Sequence, residues 1–282
     1  MTWRRLPAVL LVAGLVVAGC GGDDGGDDDE ATRASPETTD APSTTRAEAS
    51  DIPADLSVVV TNDDGYAAPG IDALVEGLRA TPGIEVTVVA PADDRTGTGG
   101  STTPGPLTTT QVTTASGFEA TAVEGFPADT VRVALEDLEL EPDIVLSGIN
   151  KGQNLGVLTD VSGTVGAAKA AAAAGVPSLA VSAGIADAPD YATATAQALS
   201  WLQDHRDELA AGETEPVATN MNVPTCPDGS VREQIDVPVK TEGGDEVRLA
   251  DQVQCASSLE DPADDVEAFN NGFVPVSELE VA

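Results

Sequence analysis

From Leu56 onward, short runs of apolar, mostly β-branched residues alternate with amphipathic stretches, and this alternation sets the expected fold class. Val58-Val59-Val60 is continuously apolar rather than alternating, as in a strand covered on both faces. Ile71, Leu74, Val75 and Leu78 then recur at helical spacing, which predicts a helix over 71–80 introduced by Pro69-Gly70. Thr81-Pro82-Gly83 is a turn, and 85–90 is a second apolar strand. Strand, helix and strand in that order form a β-α-β unit, whose crossover implies parallel strands. Residues 104–124 alternate Thr, Val and polar side chains, as in a β-hairpin or meander. A helix follows over 130–138, with Val131, Ala134, Leu135 and Leu138 on one face. Then come a strand at 143–146, an alanine-rich helix at 165–174, a strand at 176–182 and a helix at 191–205. The expectation is an α/β fold: a mostly parallel, doubly wound, Rossmann-like sheet in three α/β/α layers, with a β-rich C-terminal extension.

Polar residues concentrate where these strands end. The first strand runs into Asn62-Asp63-Asp64-Gly65, and two neighbouring carboxylates repel unless a cation sits between them. A hard, oxygen-liking ion such as Mg²⁺ or Mn²⁺ suits them; a simple turn is the competing reading of the same tetrapeptide. The second strand runs into a loop rich in glycine and hydroxyl groups, Asp93 to Ser101, which could cradle an anion or simply be a loop. The strand at 143–146 runs into Ser147-Gly148-Ile149-Asn150-Lys151-Gly152-Gln153-Asn154-Leu155-Gly156. Ser162-Gly163-Thr164 then opens the alanine-rich helix, where hydroxyls and free N–H groups cap the helix, bind an anion, or do both. A parallel sheet brings such strand ends to one edge, so three of them together point to one built site.

Composition narrows the function. The formal net charge is −35 over 282 residues, which excludes nucleic-acid binding through a phosphate-neutralising surface. The chain contains one His, His205, placed on a surface helix, so a histidine-based phosphatase mechanism is not expected. At the N-terminus, Arg4 and Arg5 precede an apolar stretch from Leu6 to Val17, and Val17-Ala18-Gly19-Cys20 reads as a lipobox with Cys20 as the lipidated residue. The expected organisation is a lipoprotein signal peptide over 1–20, an acidic and Thr/Ser/Pro-rich tether over 21–54, and a folded domain over 55–282. Such a protein faces outward from the cytoplasm in the cell envelope, anchored to the membrane by lipid. Export leaves Cys226 and Cys255 as an even pair in an oxidising compartment, and a disulfide between them is expected.

Several strings together resemble the SurE (survival protein E) family of metal-dependent nucleotidases. They are Thr61 through Ile71, Val89-Ala90-Pro91 with Asp94 to Gly97, Gly125 to Asp129, Pro142 to Asn150, Asn154-Leu155-Gly156 and Ser162 to Val165. Weaker matches lie at Asn220 to Pro224 and Gly272 to Val276, so the likeness runs from about residue 55 to the end. The resemblance implies hydrolysis of nucleoside 5′- and 3′-monophosphates with one divalent ion. It implies Asp63, Asp64, Thr96 (where the family has serine) and Asn150 as the ion's ligands. Asn62, Asn154, Ser162, Gly163 and Thr164 match positions that line the phosphate pocket. The expected reaction is in-line attack of water on phosphorus, with Asp63 orienting the water or accepting its proton and the ion supplying Lewis acidity. The segment from Pro238 to Asp264 is short, and nothing like the family's C-terminal helix follows Val276, which weighs against the family's usual dimer or tetramer. The rival reading, from another class, is a lipid-anchored solute- or nucleotide-binding protein without turnover.

Overall fold

The computed structural model describes residues 56–242 and 253–281. The leader with Cys20 and the tether, expected over 1–20 and 21–54, lie outside the described residues. Nine strands form one sheet in the described chain, in the order β3-β4-β2-β1-β5-β6-β7-β9-β8. These are β1 (Leu56–Thr61), β2 (Ile84–Pro91), β3 (Thr109–Thr113), β4 (Glu119–Val123) and β5 (Ile144–Lys151), then β6 (Ser178–Ala183), β7 (Ala218–Val223), β8 (Gln234–Asp236) and β9 (Val274–Leu279). The six strands from β4 through β7 in that order are parallel neighbours, whereas β3 and β9 pair antiparallel with β4 and β7. The expected parallel α/β sheet is therefore present, and the C-terminal extension supplies β8 and β9.

Alternation along β1 shows how the layers close. Leu56, Val58 and Val60 pack with Ile71, Leu74, Val75 and Leu78 of α1 (Pro69–Arg79) and with Ala194, Ala198 and Leu202 of α4 (Tyr191–Asp204). Val59 points the other way, into a cluster with Val131 of α2 (Pro127–Arg132) and Ala167 and Ala171 of α3 (Gly163–Ala173). Two buried faces explain why β1 reads as an unbroken apolar run. Short α5 (Arg206–Ala210) and α6 (Asp265–Asn270) complete the helices, with a π-helical turn over Val133–Asp137 and a 3₁₀ turn over Gly156–Asp160.

Two boundaries differ from the sequence reading for physical reasons. The helix expected over 130–138 begins at Pro127, a residue already set at helical φ, and the Asp129 carboxylate accepts the Phe126 N–H at 2.9 Å. Its last turn is the π-helical one. The strand expected to stop at Leu146 continues to Lys151, because β6 pairs with it as far as Ala183 after a register shift between Gly148 and Asn150. Ser147 and Asn150 are consequently strand residues, not loop residues.

Cys226 and Cys255 are bridged, with Cα atoms 5.8 Å apart. Helix α1 starts so close to β5 that a Cβ on Gly70 would stand 1.8 Å from the Ile149 carbonyl oxygen. Gly70→Ala is expected to lower stability by about 2–4 kcal/mol through overpacking and a displaced α1, read as a shifted midpoint in urea unfolding.

Candidate active site

The chain leaves β1 toward β2 on one side of the sheet and later returns to β5 on the other side of β1, so the carboxyl ends of β1 and β5 flank a crevice. Ligands of open α/β sheets bind at such a switch point. Asn62, Asp63 and Asp64 leave β1 there, and Asn150 and Lys151 end β5 opposite them. The Lys151 backbone N–H reaches the Asp64 carboxylate at 3.3 Å, bridging the two strand ends.

Asp63 is buried, 2% exposed, and the Thr164 hydroxyl donates to its Oδ1 at 2.6 Å. The Thr164 backbone N–H adds a second hydrogen bond. Gly163 makes this approach possible, because a Cβ there would lie 2.7 Å from the Asp63 Cβ and 2.9 Å from its Oδ2. Burial nonetheless raises the Asp63 carboxyl above its ordinary value, and the hydrogen bonds offset only part of that. Asp64 is half-buried and pushed up to about 6, first by burial and then by the charge of Asp63. Asp94 adds negative charge toward both carboxyls.

The residues expected to hold phosphate are brought to this edge, but their hydrogen bonds are partly spent on the protein itself. Ser162 is the N-cap of α3 and accepts from the Val165 N–H at 3.1 Å, which leaves its own proton to donate. Thr164 gives its proton to Asp63, so the anion at the start of α3 is the protein's own carboxylate. Asn154 is clamped by an amide cluster: its N–H donates to Asn222 Oδ1 at 2.7 Å, its carbonyl accepts from Asn220 Nδ2 at 2.8 Å, and its Nδ2 donates to Ser182 Oγ at 2.9 Å. With that assignment of its amide, Asn154 spends one of its two Nδ2 hydrogens on Ser182 and keeps the other. Sequence reasoning missed Asn222 and Ser182 as supports, because only the pairing of β6 with β7 puts them under the 152–155 loop. Asp94 was also missed; its position after β2 was the available signal.

Thr96 lies on the same rim with an exposed side chain, and its hydroxyl donates to Asp94 Oδ1 at 2.6 Å. The Arg95 N–H donates to the Asp63 carbonyl at 2.7 Å, which ties this loop to the end of β1. The glycine-rich run after it packs against the protein rather than standing open as an anion cradle. Gly99 donates to the Val161 carbonyl at 2.9 Å, and a Cβ on Gly166 of α3 would stand 2.1 Å from the Gly99 carbonyl oxygen.

The oxygens fit a small hard cation. Asn150 donates its Nδ2 to the Gly152 carbonyl at 2.6 Å, leaving Oδ1 free to accept, and Thr96 keeps its lone pairs after donating to Asp94. Asn62 donates to the Gly65 carbonyl at 2.9 Å, and its Oδ1 is buried without a partner. Among the described residues no group of three or more His, Cys, Asp or Glu side chains is arranged for a metal, so any ion here relies on amide and hydroxyl oxygens beside two carboxylates. His205 stacks on Trp201 at the far end of α4, about 20 Å along the helix from Tyr191, so it does not serve this site.

The family model described as Survival protein SurE matches residues 58–242. A protein of Synechococcus sp. (strain RCC307) named 5′-nucleotidase SurE is 42% identical over 176 residues, covering 61% of this chain and 62% of that protein. The protein of the same name from Laribacter hongkongensis (strain HLHK9) is 37% identical over 239 residues, 80% of this chain and 93% of its own length. Among solved structures, the SurE protein of Aquifex aeolicus superposes with a TM-score of 0.65 at 26% identity, covering 80% of this chain and 94% of that one.

The raised carboxyl of Asp64 sets a pH dependence in the metal-free protein. Its folded-state value, about 6, exceeds the 3.8 of an ordinary aspartate, so between roughly pH 4 and 6 the native state binds more protons than the unfolded chain. Stability from this group therefore grows as pH falls through 6 and is lost as pH rises. Asp64→Asn is expected to raise the Tm of EDTA-treated protein by about 2–4 °C at pH 7.5. In thermal unfolding across pH 4–8, that advantage should shrink toward pH 4.

Proposed function

The chain belongs to the SurE family, and on that premise we propose that it is a phosphomonoesterase acting on nucleoside 5′- and 3′-monophosphates with one divalent ion. What carries this reading is the convergence of Asp63, Asp64 and Asn150 at the switch point with the start of α3 beside them. The relatives' shared name, 5′-nucleotidase SurE, supports the same reaction. A binding protein without turnover has no need for two adjacent carboxyls, Asp63 raised by burial and Asp64 raised by burial and by the charge of Asp63.

Asp63, Asp64, the Asn150 Oδ1 and the Thr96 hydroxyl would hold the ion, Mg²⁺ or Mn²⁺. When bound it supplies a Lewis acid for a phosphoryl oxygen. The rest falls to the chain's own groups. Thr164 holds the Asp63 carboxylate in one orientation, and burial makes that carboxylate a stronger base than an exposed aspartate. Asp63 accepts a proton from the attacking water as the P–O ester bond breaks. The Ser162 hydroxyl, which keeps its proton, and the Gly163 N–H at the start of α3 hold phosphoryl oxygens. The ester oxygen leaves on the open side, where solvent protonates it.

The N-terminal pattern of Arg4, Arg5, the apolar run to Val17 and Cys20 supports a further part of this proposal. The enzyme is a lipoprotein held at the membrane by Cys20 and working outside the cytoplasm, with 21–54 as its spacer. Cys20→Ser is expected to move the protein from the membrane to the soluble fraction after cell fractionation.

Phosphate release from AMP and 3′-AMP should require Mg²⁺ or Mn²⁺ and stop with EDTA. Asp63→Asn should lower kcat by at least about 10³-fold while circular dichroism stays native. A rate within tenfold of wild type would remove Asp63 from its role.

A further inference from the structure

At the end of α4 remote from Tyr191, Trp201 and His205 wall a cavity of about 540 Å³ whose floor is formed by β7, β9 and β8. None of the roles above uses it, and its size falls in the range of small-ligand sites. Strand register fixes what the floor presents. Glu278 of β9 lies directly opposite Thr219 of β7, and Val276 of β9 directly opposite Asp236 of β8. Alternate residues of a strand share a face, so these four positions line the cavity together. One strand spacing across and two residues along set the Glu278 and Asp236 positions about 8 Å apart. Both side chains are exposed, and neither is paired with a cation among the described residues. No Lys or Arg lines the cavity.

Thr219 is only 8% exposed, yet its hydroxyl has no hydrogen-bond partner among the described residues. Buried hydroxyls normally find one, and here the cavity has room for it. The wall opposite is aromatic: the Trp201 and His205 rings stack with centroids 3.9 Å apart and planes 19° from parallel. His205 Nδ1 lies 2.7 Å from the Trp201 carbonyl, which can only accept, so Nδ1 carries a proton and Nε2 of the neutral ring is an acceptor.

We propose that this cavity is a second ligand site, separate from the crevice at Asp63, and that it binds a small guanidinium-bearing molecule. Its polar groups are acceptors: two carboxylates, the Thr219 oxygen and the His205 Nε2. A guanidinium answers them with five N–H donors in a plane, and that plane stacks on an aromatic wall. An ammonium has three donors and no plane. A bare metal ion fits worse, because no group of three or more His, Cys, Asp or Glu among the described residues is arranged for one. Anions are repelled by both carboxylates and by the chain's net charge of −35. The spacing of Glu278 and Asp236 further favours a ligand with a second cationic end, so that each carboxylate meets one charge.

The test is equilibrium binding of agmatine, which carries a guanidinium and an amine on one short chain, to the full chain in detergent. Putrescine, with two amines, and Mg²⁺ are the comparators, all at about 0.15 M salt, where long-range attraction is largely screened. Agmatine should bind one per chain and at least about tenfold more tightly than putrescine. Glu278→Gln and Asp236→Asn should each weaken agmatine at least about tenfold, and Thr219→Val about threefold or more. His205→Ala should erase most of the preference for agmatine over putrescine, because the stacking face is lost. Glu85→Gln, on the exposed side of β2, removes the same charge away from the cavity and should change nothing. Agmatine and putrescine bound alike, or Glu278→Gln acting no more strongly than Glu85→Gln in protein with native circular dichroism, would reduce the binding to a counterion effect and overturn the site. None of these readouts involves turnover, so they decide the site whatever the fate of the phosphatase reading.

Discussion

The contact on which this molecule turns is the buried hydrogen bond from Thr164 to Asp63, which joins residues 101 positions apart. A buried carboxylate is costly unless hydrogen-bonded, and bonds to charged groups contribute more than neutral ones, about 1.5–3 kcal/mol each. This bond fixes the end of β1 against the start of α3, and Gly163 leaves room for the approach. The Arg95 N–H on the Asp63 carbonyl then brings in the loop after β2. Strand end, helix start and loop thus share one residue.

That residue is not fully satisfied. Burial still leaves Asp63 raised, Asp64 beside it is raised further by the like charge, and Asp94 adds to both. Adjacent carboxyls held in this way carry an excess of negative potential that a cation relieves, which is the condition a hard-ion site requires. The supports around it lie deeper: Asn220, Asn222 and Ser182, all buried, hold the loop that carries Asn154. Core packing on both faces of β1 keeps this edge in place, so the site stands on rigid elements and not on its loops alone.

Much of this was legible in the chain. Continuous apolar runs marked buried parallel strands, and apolar spacing at Ile71, Leu74, Val75 and Leu78 marked α1, because each pattern reports local periodicity against an environment. Where boundaries differed, a competing force was responsible. Pro127 and Asp129 started α2 early through local capping, whereas pairing with β6 carried β5 through the polar Ser147 to Lys151. Polar side chains read as a strand end only when no neighbour pairs with the backbone beyond them.

Taken alone, the sequence determined the α/β class, the crowding of Asp63 and Asp64 after a buried strand, and the acidity that rules out a nucleic-acid surface, since composition and short-range pattern suffice for each. Tertiary structure decided which oxygens remain available. It gave the Thr164 hydroxyl to Asp63, turned the Asn154 amide nitrogen to Ser182, packed Gly99 against α3, and set Tyr191 beside Asp64 at the mouth of a cavity. Those outcomes depend on contacts between residues tens to more than a hundred positions apart, and no local pattern specifies which hydrogen bond wins when several are within reach.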